Sequence, residues 1–317
     1  MKMKGAIQGM MESFFDGKKA LVVINPISGK RTTKQQLFDI TDLFSTGGLE
    51  TTVYTTRCKG DAKALVARRG EDFDLVVCRG GDGTFNEMIN GVVQIEKNKQ
   101  PLLGYIPAGS TNDLARTLRI PINNNAEAIA VILNGQPLYN DIGLFNGTNY
   151  FSYTASCGAF IDIAFNTPQE QKNRWGRAAY FTQAPAALRR LKPLRMKIIT
   201  DEGVEIEDEF LFVAIMNSAC LGGVLKLPRR LVGLNDGKFE LVLVRYPKQH
   251  MVREFPRIIQ RILMQDYGHE SVTLLHSRRI ELKLDEPTVW TIDGENGGDH
   301  DHVVIENIHN AIQIFRR

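Results

Sequence analysis

The chain has 317 residues, a length that suits two domains of ordinary size. Hydrophobic residues make up 43% and charged residues 24%, which is typical of a globular protein and excludes a disordered or fibrous chain. The formal net charge is only +3, and no known nucleic-acid-binding module is recognisable. We therefore expect no nucleic-acid partner.

Cysteine usage and hydropathy indicate a cytoplasmic location. The four cysteines are widely spaced and form no C-x-x-C pair, as expected in a reducing compartment. No apolar run approaches the roughly 18 residues that span a bilayer. Residues 1–17 carry the positive charge of a signal peptide, but Gln8 and Glu12 interrupt any apolar core. We interpret this stretch as a leader, with an interfacial anchor that uses Phe14 and Phe15 as the alternative.

Short apolar strands alternate with amphipathic helices over the first 140 residues, with Asp61 as a predicted helix N-cap. This order predicts an α/β domain over 18–139, with a doubly wound parallel sheet and helices on both faces. The predicted strands are 20–24, 51–54, 74–78 and 102–106, and the predicted helices are 34–44, 61–69, 84–93, 112–118 and 126–133.

After about residue 140, short alternating strands separated by turn residues predict a mostly antiparallel, sandwich-like domain over 140–307. The last apolar run, 311–315, is a candidate to return to the first sheet, which would add 308–317 to the first domain. The predicted strands are 150–155, 194–200, 209–216, 238–244, 279–284 and 288–292, and the predicted helices are 174–191 and 248–264.

Three glycine-containing turns each follow a predicted strand of the first domain. They are 25–30 (N-P-I-S-G-K), 80–84 (G-G-D-G-T) and 107–113 (P-A-G-S-T-N-D). The carboxyl ends of parallel strands share one sheet edge, where such sheets bind ligands. Glycine lets the backbone approach phosphate groups closely, and each following helix offers free N–H groups. One such turn alone would indicate only a tight connection, whereas three together predict a nucleotide-phosphate site.

Two common nucleotide-binding motifs are excluded by spacing. The first turn is not a G-x-x-x-x-G-K-[ST] loop, since Ile24 stands where its first glycine would be. The second turn has glycines at 80, 81 and 83 followed by Asn86, so it is not G-x-G-x-x-G. The chain is therefore neither a Walker-type NTPase nor an ordinary dinucleotide-binding protein.

A basic segment, Arg174–Lys197, contains lysines and arginines but no acidic residue. It has two open interpretations: a solvated helix face, or a surface that docks on anionic membranes. Aromatic neighbours such as Trp175 and Tyr180 favour the membrane surface.

The three turns, together with a later D-G-E at 293–295, resemble the diacylglycerol kinase catalytic-domain family. Its soluble bacterial lipid kinases look most similar, with ceramide and sphingosine kinases as more distant relatives. The resemblance spans about 18–317, and its most specific part, G-G-D-G-T-x-N-E, is shared with NAD kinases and loosely with phosphofructokinases. Two positions depart from the family pattern: Arg79, where a small residue is usual, and Ser110, where threonine is commoner.

The resemblance implies a role for particular residues. Glu295 is the implied catalytic base, with Asp82 as its competitor. Magnesium would be organised by Asp82, Asp113 and Asp141, and a second, structural magnesium by Asp236. The implied nucleotide-binding residues are Asn25, Pro26, Ile27, Ser28, Gly29, Lys30, Thr56, Gly81, Asp82, Gly83, Thr84, Phe85, Asn86, Glu87, Ser110, Asn112 and Asp113.

The resemblance thus implies an ATP-dependent lipid kinase with Mg²⁺ as cofactor and an active site in the cleft between the domains. Diacylglycerol is the first choice of substrate, and phosphatidylglycerol, ceramide or a sphingoid base is the alternative. An NAD kinase-like enzyme and a non-catalytic lipid-binding module are the rival functions. We expect a cytoplasmic, peripherally membrane-associated protein, with a second copy of the chain as a candidate partner.

Overall fold

A computed structural model describes residues 14–28, 34–158, 192–222, 225–248 and 251–317. The chain divides into two compact units. The first runs to Ile142 and also contains Ile308–Arg317, and the second is Gly143–Asn307. No helix in these described ranges is long and apolar enough to cross a bilayer.

The first unit is built on a parallel sheet in the order β2-β1-β3-β4, and the carboxyl end of the last strand of the chain lies parallel to β4. Its strands are β1 (Lys19–Ile24), β2 (Glu50–Thr55), β3 (Leu75–Gly80) and β4 (Leu102–Pro107), and β5 (Pro137–Phe145) begins in this unit. Its helices are α1 (Lys34–Thr46), α2 (Asp61–Arg69), α3 (Asp82–Val92), α4 (Asp113–Thr117) and α5 (Asn125–Asn134).

The central strands are buried because helices cover the sheet. β1 and β3 are almost continuous apolar runs, as expected of parallel strands that are enclosed on both faces. Helix α2 packs on α3, while α1 packs on α5. The predicted doubly wound α/β fold is confirmed.

The start of helix α2 differs from the sequence prediction. Asp61 is the first helical residue and not the N-cap, which is Gly60 with a φ of 84°. The Asp61 carboxylate instead accepts hydrogen bonds from the Arg57 amide, at 2.9 Å, and from the Tyr54 hydroxyl, at 3.1 Å. A left-handed backbone at this position suits glycine and removes the usual side-chain cap.

The described end of the predicted leader belongs to the core of the first unit. Phe15 is only 2% exposed, and its ring centroid lies 5.7 Å from that of Phe315. The Gly17 amide donates to the Gly48 carbonyl at 3.2 Å, which joins this stretch to the loop before β2. The alternative of an interfacial anchor is therefore wrong for Phe15, because its ring is already buried within the protein.

The second unit is β-rich and mostly antiparallel, as predicted. Its strands are β6 (Asn149–Phe151), β7 (Thr154–Gly158), β8 (Leu194–Thr200), β9 (Glu205–Met216), β10 (Cys220–Leu221), β11 (Leu225–Lys226), β12 (Phe239–Arg245), β13 (Gly268–His269), β14 (Val272–Ser277), β15 (Arg279–Ile292) and β16 (Glu295–Phe315), which ends in the first unit, and its described helix is α6 (Met251–Met264). Strands β7 and β8 both lie between β9 and β15, since each pairs with a different part of those two longer strands.

Several predicted boundaries in the second unit are wrong. The single strand predicted at 150–155 is divided into β6 and β7 by Ser152 and Tyr153. The two strands predicted at 279–284 and 288–292 are one strand, β15, with a register shift against β16 between Lys283 and Thr288. The described part of helix α6 starts at Met251, directly after residues outside the described ranges, and the predicted helix 174–191 also lies outside the described residues.

Replacing Phe15 by alanine should destabilise the protein by about 3–5 kcal/mol, because the change leaves a cavity beside Phe315. Urea unfolding followed by circular dichroism measures this difference. Phe38→Ala is the matched control, since Phe38 is 63% exposed and its loss should cost less than about 0.5 kcal/mol. Equal effects of the two substitutions would show that the N-terminal stretch does not pack as described.

Candidate active site

The second and third glycine turns touch each other directly. The Ala108 amide donates to the Gly80 carbonyl at 2.7 Å. A Cβ atom added to Gly109 would lie 2.7 Å from the Cα of Gly81, and one added to Gly81 would lie 3.3 Å from the Cα of Gly109. A side chain at Gly109 would therefore push the two turns apart, so glycine is required by this backbone contact.

The first turn is joined to the second through Asn25. Its Nδ2 donates to the Thr84 hydroxyl at 2.9 Å, and its backbone amide donates to the Arg79 carbonyl at 3.0 Å. The Asn25 Oδ1 accepts the Ile27 amide at 3.1 Å and so holds the turn closed. The structure thus joins Asn25 of the first turn to Thr84 of the second, whereas Gly29 and Lys30 lie outside the described residues.

The third turn is shaped by Asn112. This buried residue has a φ of 52°, its Oδ1 accepts the Gly109 amide at 2.9 Å, and its Nδ2 donates to the Gly109 carbonyl at 2.7 Å. Asparagine tolerates this left-handed conformation better than most residues. The loop between these two residues leaves Ser110 and Thr111 exposed, where a ligand can reach their hydroxyl groups.

Two predicted acidic residues, Asp82 and Asp113, are neighbours. Asp82 Oδ2 accepts the backbone amide of Asp113 at 3.0 Å, and its Oδ1 accepts the Tyr105 hydroxyl at 3.2 Å. Asp82 begins helix α3, where the positive end of the helix dipole favours a carboxylate. Asp113 begins α4 and is almost fully buried. Both hydrogen bonds hold the Asp82 carboxylate at the junction of the second and third turns.

Three other predicted nucleotide-binding residues make contacts within the protein near the turns. Phe85 is fully buried and stacks on Tyr105 at 4.7 Å, so its side chain does not face a ligand. Glu87 Oε1 accepts the Gly60 amide at 2.8 Å and thereby joins α3 to the start of α2. The Thr56 amide donates to the Ile24 carbonyl at 2.9 Å, which continues the β1–β2 ladder to the sheet edge.

The third predicted magnesium residue, Asp141, holds the last strand. Its Oδ1 accepts the Asn310 amide at 2.7 Å and lies 3.0 Å from His309 Nδ1. Within the described ranges, no group of three or more His, Cys, Asp or Glu side chains is arranged to hold a metal. Asp82, Asp113 and Asp141 therefore form no ready-made cage. One or two carboxylates beside the glycine turns still fit Mg²⁺, which usually takes its other ligands from substrate phosphates and water.

Asp236, the predicted ligand of a structural magnesium, lies in an exposed turn of the second unit. Its Oδ1 accepts the Lys238 amide at 3.0 Å across Gly237, whose φ is 79°. Gly233 approaches the same carboxylate so closely that an added Cβ would overlap Asp236 Oδ2. The donor type suits magnesium, and the structural site at Asp236 stays a prediction.

The D-G-E motif forms a tight hairpin between β15 and β16. Ile292 pairs with Glu295, and the two residues between them have positive φ angles, 48° at Asp293 and 78° at Gly294. Two consecutive positive φ angles are typical of a type I′ turn, which favours Asp-Gly. The turn presents the side chain of Glu295 on the exposed surface of the second unit.

Asp293 holds this hairpin in place, a role that the sequence analysis did not assign to it. Its buried carboxylate accepts the Ser152 amide and hydroxyl, both at 2.6 Å, the Tyr153 amide at 2.9 Å and the Thr154 amide at 3.0 Å. Burial raises the pKa of the Asp293 carboxyl, while these four hydrogen bonds act in the opposite direction. The hairpin that carries Glu295 is thereby fixed to the break between β6 and β7. In the sequence, the Asp-Gly dipeptide was the signal that could have predicted this turn.

A doubly wound domain with three joined glycine turns and adjacent carboxylates defines a nucleotide-dependent phosphotransferase. Comparison with known proteins agrees. The diacylglycerol kinase catalytic domain matches residues 19–145, and the YegS C-terminal NAD kinase beta sandwich-like domain matches residues 157–316. The chain belongs to the diacylglycerol kinase catalytic-domain family. It is therefore a lipid kinase, an enzyme for which ATP is the co-substrate.

Individual relatives cover nearly the whole chain. A diacylglycerol kinase of Bacillus subtilis (strain 168) is 31% identical over 283 residues, which are 89% of this chain and 91% of that protein. A diacylglycerol kinase of Staphylococcus aureus (strain JH9) is 32% identical over 284 residues, covering 89% and 87%.

Solved structures share the same architecture. The crystal structure of a proposed diacylglycerol kinase from Bacillus anthracis str. Sterne superposes with a TM-score of 0.79 at 25% identity, covering 95% of this chain and 97% of that one. A yeast NADH kinase reaches a TM-score of 0.51 at 13% identity, covering 94% and 82%, which is a likeness of fold alone.

Replacing Asp293 by asparagine should lower the stability of the protein by about 2–4 kcal/mol. The amide group has one acceptor oxygen, so its NH₂ would face backbone donors that are left unsatisfied. Thermal and urea unfolding measure the loss. Asp299→Asn on β16 is the control, since Asp299 is exposed and should change stability by less than about 0.5 kcal/mol. Full stability of Asp293→Asn would show that the four hydrogen bonds do not hold the hairpin.

Proposed function

We propose that this enzyme transfers the γ-phosphate of MgATP to the free hydroxyl of diacylglycerol, which yields phosphatidic acid and MgADP. The observation that carries the proposal is the joining of the three glycine turns by Asn25, Gly81 and Gly109, with Asp82 at their junction. The names of the relatives at 31% and 32% identity support diacylglycerol as the acceptor.

Phosphoryl transfer depends on positioning and on neutralising charge more than on covalent chemistry of the protein. The backbone of the three turns would hold the phosphates, and the exposed hydroxyl of Ser110 would contribute from the third turn. Asp82 and Asp113 would hold the magnesium ion. When bound, Mg²⁺ neutralises phosphate charge and orients the oxygen atoms of the nucleotide.

Glu295 is the residue that we propose as the general base for the lipid hydroxyl. A carboxylate that accepts the hydroxyl proton can contribute about 10²–10⁴-fold to the rate. Asp82, the competing candidate, is assigned to the magnesium ion, and its carboxylate accepts the Tyr105 hydroxyl and the Asp113 amide. Glu295 is exposed at the end of a hairpin that Asp293 holds in place, which favours it as the base.

Glu295→Gln should lower kcat by at least about a hundredfold, because glutamine cannot accept the proton, while ATP affinity stays nearly unchanged. Steady-state kinetics with diacylglycerol in mixed micelles, together with ATP titration, separate the two quantities. Glu286→Gln, an exposed substitution on the neighbouring strand β15, is the matched control and should retain full activity. A rate loss below about threefold for Glu295→Gln would remove Glu295 from this role.

The substrate is tested by measuring ATP consumption against diacylglycerol, phosphatidylglycerol, ceramide, sphingosine and NAD under identical conditions. We expect turnover with diacylglycerol and formation of phosphatidic acid. Turnover with another lipid would keep the lipid kinase and replace the substrate, whereas turnover with NAD alone would reject the lipid proposal. Vesicle binding without any ATP consumption would identify a non-catalytic lipid-binding module.

The basic segment, Arg174–Lys197, is our proposed contact with anionic membranes, and it would give the enzyme a peripheral membrane location in the cytoplasm. Its residues 174–191 lie outside the described residues. In the described part, Arg195 lies 3.8 Å from Glu209, and Lys197 lies 2.9 Å from Glu205. Since these two cations already have acidic partners, attraction to lipid would come from the remaining lysines and arginines.

Charge reversal of both Arg189 and Arg190 to glutamate should weaken binding to phosphatidylserine-containing vesicles, by about 1 kcal/mol or more per residue. Activity on a short-chain, soluble diacylglycerol should be retained. Vesicle sedimentation at two salt concentrations measures the effect, and the double change Arg68→Glu/Arg69→Glu on α2 serves as the control. Unchanged vesicle binding would return this segment to the interpretation of a solvated face.

A further inference from the structure

A buried arginine lies at the carboxyl end of β3, directly before the second glycine turn. Arg79 is only 3% exposed, and its Nε and Nη1 have no hydrogen-bond partner among the residues that the structure describes. Its Nη2 donates to Gln36 Oε1 at 3.5 Å, which is the long limit of a hydrogen bond. A guanidinium with most of its donors unsatisfied in the interior is rare, because burial of an unpaired charge is unfavourable.

Strand register places Arg79 at the centre of the three turns. It pairs with Ile24, the last residue of β1, and with Ile106 near the end of β4. Its carbonyl accepts the amide of Asn25, the first residue of the first turn. The backbone of Arg79 is therefore adjacent to the start of every glycine turn, and its contact with Gln36 places its guanidinium on the α1 side of the sheet.

The surroundings described for Arg79 do not compensate its charge. None of the ion pairs within the described ranges includes it, and Gln36 is a neutral partner. Burial lowers the pKa of the Arg79 guanidinium, yet arginine stays protonated in proteins.

We propose that Arg79 is a further nucleotide-binding residue, whose fixed positive charge beneath the three turns is balanced by the phosphates of the bound nucleotide. This inference rests on the proposed function, since it assumes that the turns bind those phosphates. In a low-dielectric interior a charge acts over several ångströms, so Arg79 strengthens phosphate binding without a direct bond. The charge is then unfavourable for the free protein and favourable for the complex, as is common at functional sites.

The test compares Arg79→Met, which keeps length but removes the charge, with Arg79→Lys, which keeps a charge. Calorimetric titration of the full chain with adenosine, AMP and ADP measures affinity, and thermal unfolding measures the stability of the free protein. We expect Arg79→Met to weaken ADP binding about tenfold or more and adenosine binding less than about twofold, since each phosphate adds negative charge. Arg79→Lys should retain most of the affinity for ADP.

The melting temperature of the free protein should stay equal or rise in Arg79→Met, because an unpaired buried charge is removed. Arg69→Met is the matched control: Arg69 ends α2, before β3 begins and away from the glycine turns, and its loss should leave all three affinities unchanged. Arg79→Gln provides a second neutral variant in case methionine packs poorly.

Unchanged ADP affinity in the neutral variants, or an equal loss for adenosine and ADP, would overturn the role of Arg79. Loss of folding in both neutral variants would overturn it too, because the guanidinium would then be a structural element. A wild-type protein that binds ADP but phosphorylates no lipid would reject the proposed function. The proposed role of Arg79 would still be supported if the loss of affinity in Arg79→Met increased from adenosine to AMP to ADP. Absence of any nucleotide binding by the wild type would reject both.

Discussion

The contact between two glycine turns is the constraint on which the first unit depends. Gly81 and Gly109 come so close that a side chain on Gly109 would separate them, and the Asp82 carboxylate accepts the amide at the start of the next helix. Asn25 adds the first turn to this arrangement. The three turns at the edge of the parallel sheet are thereby joined to one another by backbone and side-chain contacts.

In the second unit, a buried carboxylate fixes the turn that carries Glu295. A single buried carboxylate, Asp293, accepts four hydrogen bonds from three consecutive residues and fixes a two-residue turn with left-handed backbone angles. The position of Glu295, the residue that follows the turn, therefore depends on the hydrogen bonds of Asp293. An exposed carboxylate proposed as a general base gains its orientation from a neighbour that does not react.

Much of the site was predictable from local sequence. The apolar runs before the turns determine strands because their residues are buried on both faces, and parallel order then brings all three turns to one edge. The local sequence pattern gave a wrong strand boundary where contacts between distant residues determine where the strand ends. Ser152 and Tyr153 read as part of one strand, but their amides are needed by a carboxylate 140 or so residues away, so the strand breaks there.

The sequence by itself determined the alternation of strands and helices in the first unit and the residue types at the turns, because these depend on periodicity and on the backbone freedom of glycine. The class of protein followed from the resemblance of the turn motifs to a known family. Only the tertiary structure decided which predicted residues serve packing. It buried the ring of Phe85, engaged Asp141 with the last strand and enclosed Phe15 in the core. It also left Arg79 buried with most of its donors unsatisfied, since burial and hydrogen-bond partners are properties of contacts between distant segments.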